Sequence, residues 1–263
     1  MDRSSPLPRV AFVIDLGCDG ATGGGDTSIR PLAQMFSRLQ LPATWAVATA
    51  EQARFLFDRQ LGLANSELAL ALPVKESQSA KRFRLAVGSG VAALGDVTGT
   101  HSSLVVGNVT RLCARASILA ELGIGAILSS PSAVTGPAAS AGPAASIASA
   151  APRPIACGLW QLEPKVTLPS PPGLWRLLWA RQSGARQFVA AAERTGTTLA
   201  VISAAQLQHK SGRSLRIIEK LLRNVSRVAN HNQLALANIS EVVAELASHR
   251  RSTPQRSILH RAA

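Results

Sequence analysis

The chain has 263 residues, 46% of them hydrophobic and 4% aromatic, with no tyrosine; 28 Lys and Arg against 15 Asp and Glu give a formal charge of +13. That is enough apolar chain for one large α/β domain or two small ones, and too few aromatic side chains for a base-stacking surface. No run is long and apolar enough to span a bilayer, and MDRSSPLPRV has no signal-peptide core, so no membrane partner is expected.

Residues 10–14 read as a short buried strand, apolar and largely β-branched, that runs straight into Asp15. The glycine-rich GATGGGDTS follows as a loop, with Asp26, Thr27 and Ser28 on hand as helix caps. Residues 29–40 read as a helix: Ile29, Leu32, Phe36 and Leu39 step by three and four, Pro31 sits in the first turn, and Pro42 stops it. ATWAVA (43–48) is a second strand, EQARFLFDRQL (51–61) a second helix and ELALAL (67–72) a third strand. Residues 79–94 read as a helix weakened by Gly88 and Gly90, and SSLVVG (102–107) as a fourth strand. TRLCARASILAEL (110–122) reads as one continuous helix, with Leu112, Ala116, Leu119 and Leu122 on one face and Gly123 as its stop. GAILS (125–129) is a fifth strand.

The pattern then fails. Residues 129–154 are Ala, Ser, Pro and Gly almost throughout and carry GPAAS twice, so they have little to bury and are expected to form a flexible insertion. Order resumes at PIACGLWQLEP. A helix around 183–196, a strand TLAVIS (198–203), a strong helix over 214–229, a strand QLALANI (233–239) and a helix over 240–249 capped by Ser240 follow. The tail, 250–263, is basic and expected to be loose. Strand and helix alternate along nearly the whole of 1–249, which predicts a single α/β domain: a mostly parallel sheet or barrel of about seven units with helices outside. A site is then expected at the C-terminal ends of the strands, where Asp15 falls.

Three segments carry a resemblance. VAFVIDLG is similar to a first strand ending T-F-D-D-G, LAQMFSRLQLPATWAVA to the helix and strand that follow it, and SELALAL to an HEIglH strand. Together with the order of elements from GLWQLEPKVTLPS onward, they resemble the polysaccharide deacetylase family over roughly residues 8–248, apart from the insertion. The resemblance implies a distorted (β/α)7 barrel and removal of N- or O-acetyl groups from sugars with a divalent metal. Residue by residue, that chemistry is mostly missing. The family's two aspartates fall on Asp15 and Leu16, and its two metal histidines on Ala71 and Lys75. No arginine matches near AILSSPS and no histidine near LAVIS. The five histidines contain no HxxxH pair, and a catalytic zinc takes three protein ligands.

The residues leave several uses open. Asp15 is either a general base, with Asp19 beside it as a substitute ligand or sugar hydrogen-bond acceptor, or a carboxylate that accepts loop amides of the glycine turn. DLGCDGATGGGDT could also cradle a phosphate, although the lysine of a GxxxxGK[ST] loop is missing. Trp160, after the glycine of CGLW and just past an expected strand, is a candidate for the mouth of a cleft, whereas Trp45 suits the core. His101 reads as a surface or capping residue. Arg213, Arg216, Lys220, Arg223 and Arg227 step by three and four along one helix, opposite Leu215, Ile218, Leu222 and Val225. That stripe is either a solvated face or a surface for an anionic polymer, with acidic polysaccharide favoured over nucleic acid. The cysteines, Cys18, Cys113 and Cys157, lie far apart without a CxxC pair, which fits a reducing cytoplasm.

The expectation is therefore a polysaccharide-deacetylase-like protein of carbohydrate metabolism, catalytically degenerate, with a binding or regulatory role and no cofactor. An active deacetylase using Asp15 as base is the first alternative, and it would need zinc or another divalent metal. A polyanion or nucleic-acid binder, acting through the basic helix 213–227 and the tail, is the second.

Overall fold

The computed structural model describes residues 7–17, 26–57, 65–72, 78–129, 152–164, 166–168, 190–194, 196–204, 207 and 213–252; for 26–28, 166–168, 213 and 249–252 only the backbone is described. The expected helix around 183–196 lies mostly outside these residues. So do most of the Ala/Ser/Pro/Gly insertion, the glycine loop 18–25, and the tail beyond 252.

Strand and helix alternate as the periodicity predicts. The chain runs through β1 (Arg9–Asp15), α1 (Asp26–Arg38), β2 (Ala43–Val47), α2 (Ala50–Phe57), β3 (Ser66–Ala71), α3 (Ala80–Thr98) and β4 (Leu104–Gly107). Then come α4 (Val109–Cys113), α5 (Ala116–Glu121), β5 (Ala126–Ser129), β6 (Arg153–Pro154), β7 (Trp160–Leu162) and β8 (Val166–Leu168). It closes with β9 (Thr197–Ser203), α6 (Arg213–Asn230), β10 (Ala235–Ala237) and α7 (Ile239–Ser252). No described helix is long and apolar enough to cross a membrane.

The strands form one sheet in the order β6-β7-β5-β4-β3-β2-β1-β9-β8, with β10 added beside β1. Every pair is parallel except β6 with β7. The sheet curls into a half-barrel surrounded by helices, as the resemblance implied. β1 is its centre. One edge pairs with β9 along the full length, from Arg9↔Thr197 to Asp15↔Ser203. The other edge is shared, β10 taking Arg9 to Ala11 and β2 taking Val13 to Asp15.

Alternation along the strands separates two apolar layers. Val10, Phe12, Ile14, Trp45, Val47, Leu68, Leu70 and Ile127 face the helices and pack with Phe36 of α1, Phe83 of α3 and Leu222 of α6. The Phe36 ring meets Phe12 and Trp45 edge-on, with centroids 5.6 and 5.9 Å away. Trp45 is fully buried there, the core role its sequence context suggested. The concave layer is built from smaller side chains: Ala11, Val13, Ala46, Ala69, Ala71, Val106, Ala126 and Leu128.

Helix α7 seals the N-terminal end of the half-barrel. Its Ile239 and Val242 join the concave layer. Its first N–H groups, which have no intrahelical partner, find acceptors on the strands. Ile239 N–H donates to Thr44 Oγ1 at 3.2 Å, and Ser240 N–H to Glu67 Oε1 at 3.1 Å. The Thr44 hydroxyl itself donates to Glu67 at 2.6 Å. Arg9 of β1 pairs with Glu245 one turn further along α7.

Three expectations change. The cap position of the last helix is Asn238, not Ser240: Asn238 C=O accepts from Val242 N–H, and the Glu241 side chain reaches back to Asn238 N–H at 3.1 Å, one half of a capping box, while the Asn238 amide turns away to donate to Asn65 C=O. Ser240 sits inside the first turn because Glu67 supplies its acceptor. The continuous helix over 110–122 is two short ones. Arg115 breaks it at φ −120°, ψ 20°, and its guanidinium is held elsewhere, donating to Gln78 C=O at 2.8 Å and lying 5.9 Å over the Phe83 ring. Finally, α3 continues through Gly88 and Gly90 to Thr98. A Cβ on Gly90 would come within 2.8 Å of the Leu70 side chain, so the glycine permits close helix–strand contact there.

Candidate functional site

Asp15 is the last residue of β1, fully buried, on the concave side with Ala11 and Val13. A strand ladder fixes its Cα, and its Oδ1 accepts the Gly17 N–H at 2.9 Å. Gly17 adopts φ +85°, a left-handed turn that aims this amide back at the carboxylate. The contact is of the kind the loop-amide reading anticipated, at a position a general base would also occupy. Asp19, its expected companion, lies outside the described residues.

The register brings a second polar residue beside it. Ser203 ends β9 directly across from Asp15 and is also fully buried. Sequence reasoning passed over Ser203. The signal was there: TLAVIS ends an apolar strand on a polar residue just as VAFVID does, and the two strands are parallel neighbours. Around this pair, the concave wall near the strand ends is alkyl: Ala46, Ala71, Val106, Leu128 and Val201.

The positions assigned to metal ligands by resemblance are built for packing. Leu16 is 8% exposed and belongs to the layer beneath the helices. Ala71 is 1% exposed on the concave face, at the end of β3. Lys75 lies outside the described residues. Among the described residues, no three His, Cys, Asp or Glu side chains gather closely enough to hold a metal ion. Among the described residues, one carboxylate flanked by a leucine and an alanine does not fit a divalent cation.

Trp160 lies elsewhere. It opens β7 rather than following a strand, pairs with Ala126 at the start of β5, and is 9% exposed in the concave layer. That is the N-terminal end of the parallel sheet, opposite to Asp15. Parallel pairing of β5 with β7 continued the sheet one strand beyond the glycine turn, so CGLW leads into a strand. His101 caps instead of ligating: it is exposed, with Nε2 3.2 Å from Leu122 C=O at the end of α5.

The basic stripe maps onto α6 as expected. Arg216, Lys220, Arg223 and Arg227 are exposed, while Ile218, Leu222 and Val225 are buried against the sheet and Leu215 packs partly buried beside them. The Arg213 side chain is not described. The stripe is not purely cationic: Glu219 accepts from Arg223 at 2.8 Å and from Arg38 of α1 at 2.5 Å. These cations hold the Glu219 carboxyl below its usual range, the Arg38 hydrogen bond contributing most.

By sequence the chain matches no protein-family model and no curated relative. By structure it is similar to a protein from Mycobacterium smegmatis described provisionally as a polysaccharide deacetylase, with a TM-score of 0.65 at 14% identity over 95% of this chain and 94% of that one. It is similar to a CE4 family pseudoenzyme from Bacillus anthracis, with a TM-score of 0.51 at 9% identity over 90% of this chain and 66% of that one. A mutant of that pseudoenzyme with restored enzymatic activity matches equally, at a TM-score of 0.51 and 10% identity over 90% and 68% of the two chains. The half-barrel, its strand order and its covering helices thus have the fold of the polysaccharide deacetylases, as the divergent motifs of the sequence implied.

Proposed function

We propose that the chain is a catalytically degenerate relative of the polysaccharide deacetylases that binds carbohydrate at the rim marked by Asp15 and Ser203 without hydrolysing it. The observation that carries this reading is the pair Leu16 and Ala71, buried alkyl side chains where the resemblance implies metal ligands. A ligand that reached the fully buried Asp15 carboxylate and Ser203 hydroxyl would meet few but directional hydrogen-bonding groups in an alkyl wall. No step of metal chemistry is assigned to these residues. Cys113 and Cys157 are free thiols, which supports a reducing cytoplasm as its location.

The test is restoration. In Leu16→Asp/Ala71→His/Lys75→His the family's ligand set would stand again in register. Calorimetry is expected to show stoichiometric zinc binding by the triple variant and none by the parent chain. Zinc held tightly by the parent would sink the reading; a folded triple variant that takes up none would show the register to be wrong. A second reading, an active deacetylase with Asp15 as base, is supported by the rigid placement of that carboxylate at a strand end. It requires acetate release from an acetylated oligosaccharide that Asp15→Asn abolishes.

A further inference from the structure

Glu219 ties two helices into one basic surface. It bridges Arg38 at the end of α1 and Arg223 on α6, with Arg216 one turn before it on the same row. With Lys220 and Arg227, five exposed cations share this face with Glu219. The α6 cations run from 216 to 227, about 16 Å at the helical rise, and recur about once per turn. Topology orients the row. α6 leaves the C-terminal end of β9, where Ser203 stands, and returns to the N-terminal start of β10. Its first turn therefore lies toward the end of the sheet that carries Asp15, and the row descends the outside of the half-barrel from there.

We propose that the α1/α6 face binds an acidic polysaccharide. A straight row of cations at one-turn spacing, three arginines and a lysine, suits a linear polymer that repeats a carboxylate, because each arginine fork can grip a carboxylate through two hydrogen bonds. The sequence of α6, RSLRIIEKLLRNVSRVAN, contains no aromatic residue, so the face offers nothing for bases to stack on, and single-stranded nucleic acid would be held by its phosphates alone. The choice of a sugar polymer rests on the carbohydrate reading above; the charged surface itself does not.

The experiment is fluorescence anisotropy with a labelled galacturonic acid decamer, beside a single-stranded DNA of equal charge at equal ionic strength. Binding of the uronate is expected to weaken about tenfold or more between about 50 and 200 mM salt, as release of bound counterions requires. Arg216→Glu/Arg227→Glu reverses two exposed charges outside the Glu219 bridge. It is expected to lose at least about tenfold in affinity while its thermal melt stays unchanged. Failure of the decamer to bind at the lower salt, or equal binding by the variant, would overturn the proposal. DNA bound as tightly as the uronate would also overturn it, making the face a phosphate surface and leaving the zinc-restoration test of the cleft untouched. If the variant melts early, Arg216→Gln/Arg227→Gln replaces it, with the same loss expected.

Discussion

The two ends of the half-barrel use polar side chains on the same concave face in different ways. At the N-terminal end, Thr44 and Glu67 accept the first N–H groups of α7, and Arg9 is paired to Glu245 of the same helix. These groups hold a plug in place. At the C-terminal end, Asp15 and Ser203 stand side by side in an alkyl wall, and the carboxylate accepts the loop amide of Gly17. Strand alternation puts polar residues on the inner face at both ends.

The largest expected effect is on the plug. Ile239 is fully buried where α7 enters the concave layer, so Ile239→Ala is expected to cost about 2–5 kcal/mol in urea unfolding. A loss under about 1 kcal/mol would mean that α7 lies over the end of the sheet without sealing it. Glu67→Ala comes next. It leaves the Thr44 hydroxyl and the Ser240 N–H without their shared acceptor, at about 1–3 kcal/mol. Glu67→Gln keeps an oxygen in place and is expected to cost less than the alanine. Equal costs would mean that the charge toward the helix N-terminus matters more than the hydrogen bonds.

At the other end the balance should invert. Ser203→Ala removes one hydroxyl from the alkyl wall and is expected to change stability by less than about 1 kcal/mol. If the rim binds carbohydrate, the same variant should weaken binding of a neutral acetylated oligosaccharide several-fold, as seen by NMR shift perturbation. A Ser203→Ala variant that loses stability as Glu67→Ala does, with binding unchanged, would erase the distinction between the two ends.

Most of the strand and helix order was legible because periodicity reports burial. VAFVID and TLAVIS read as strands from their apolar runs, and α6 announced both its faces by spacing. What was not legible came from contacts distant in sequence. Asn238 displaced Ser240 as the cap because Glu67, on a strand 173 residues away, supplies the Ser240 N–H with its acceptor. Arg115 broke a helix that its own neighbours favour because Gln78 and Phe83 hold its guanidinium. Ser203 became a candidate only when the register set it opposite Asp15. Trp160 was misplaced because a pair of parallel strands, β5 and β7, cannot be read from either segment alone.

The smallest expected effect lies on the outer wall, where Glu219 opposes two functions. Its carboxyl is held below the ordinary value chiefly by the Arg38 hydrogen bond, with partial burial pushing the other way and Arg223 assisting. A depressed folded value means that the bridge contributes fully above the unfolded carboxylate value, about 4.3 for glutamate. That contribution is lost as pH falls through the lower folded value. Glu219→Gln should therefore be slightly less stable than the parent at pH 7, with the gap closing in acid and shrinking in salt. A gap that persists unchanged below pH 3 would show that packing of the side chain, not its charge, joins α1 to α6. On the binding side the sign reverses: the variant releases Arg38 and Arg223 and removes a carboxylate from the face, so affinity for an acidic polysaccharide should rise. Stability and binding moving in opposite directions in one substitution would be hard to explain if the stripe were only a solvated surface, because a solvated surface has no reason to gain a ligand when it loses an ion pair.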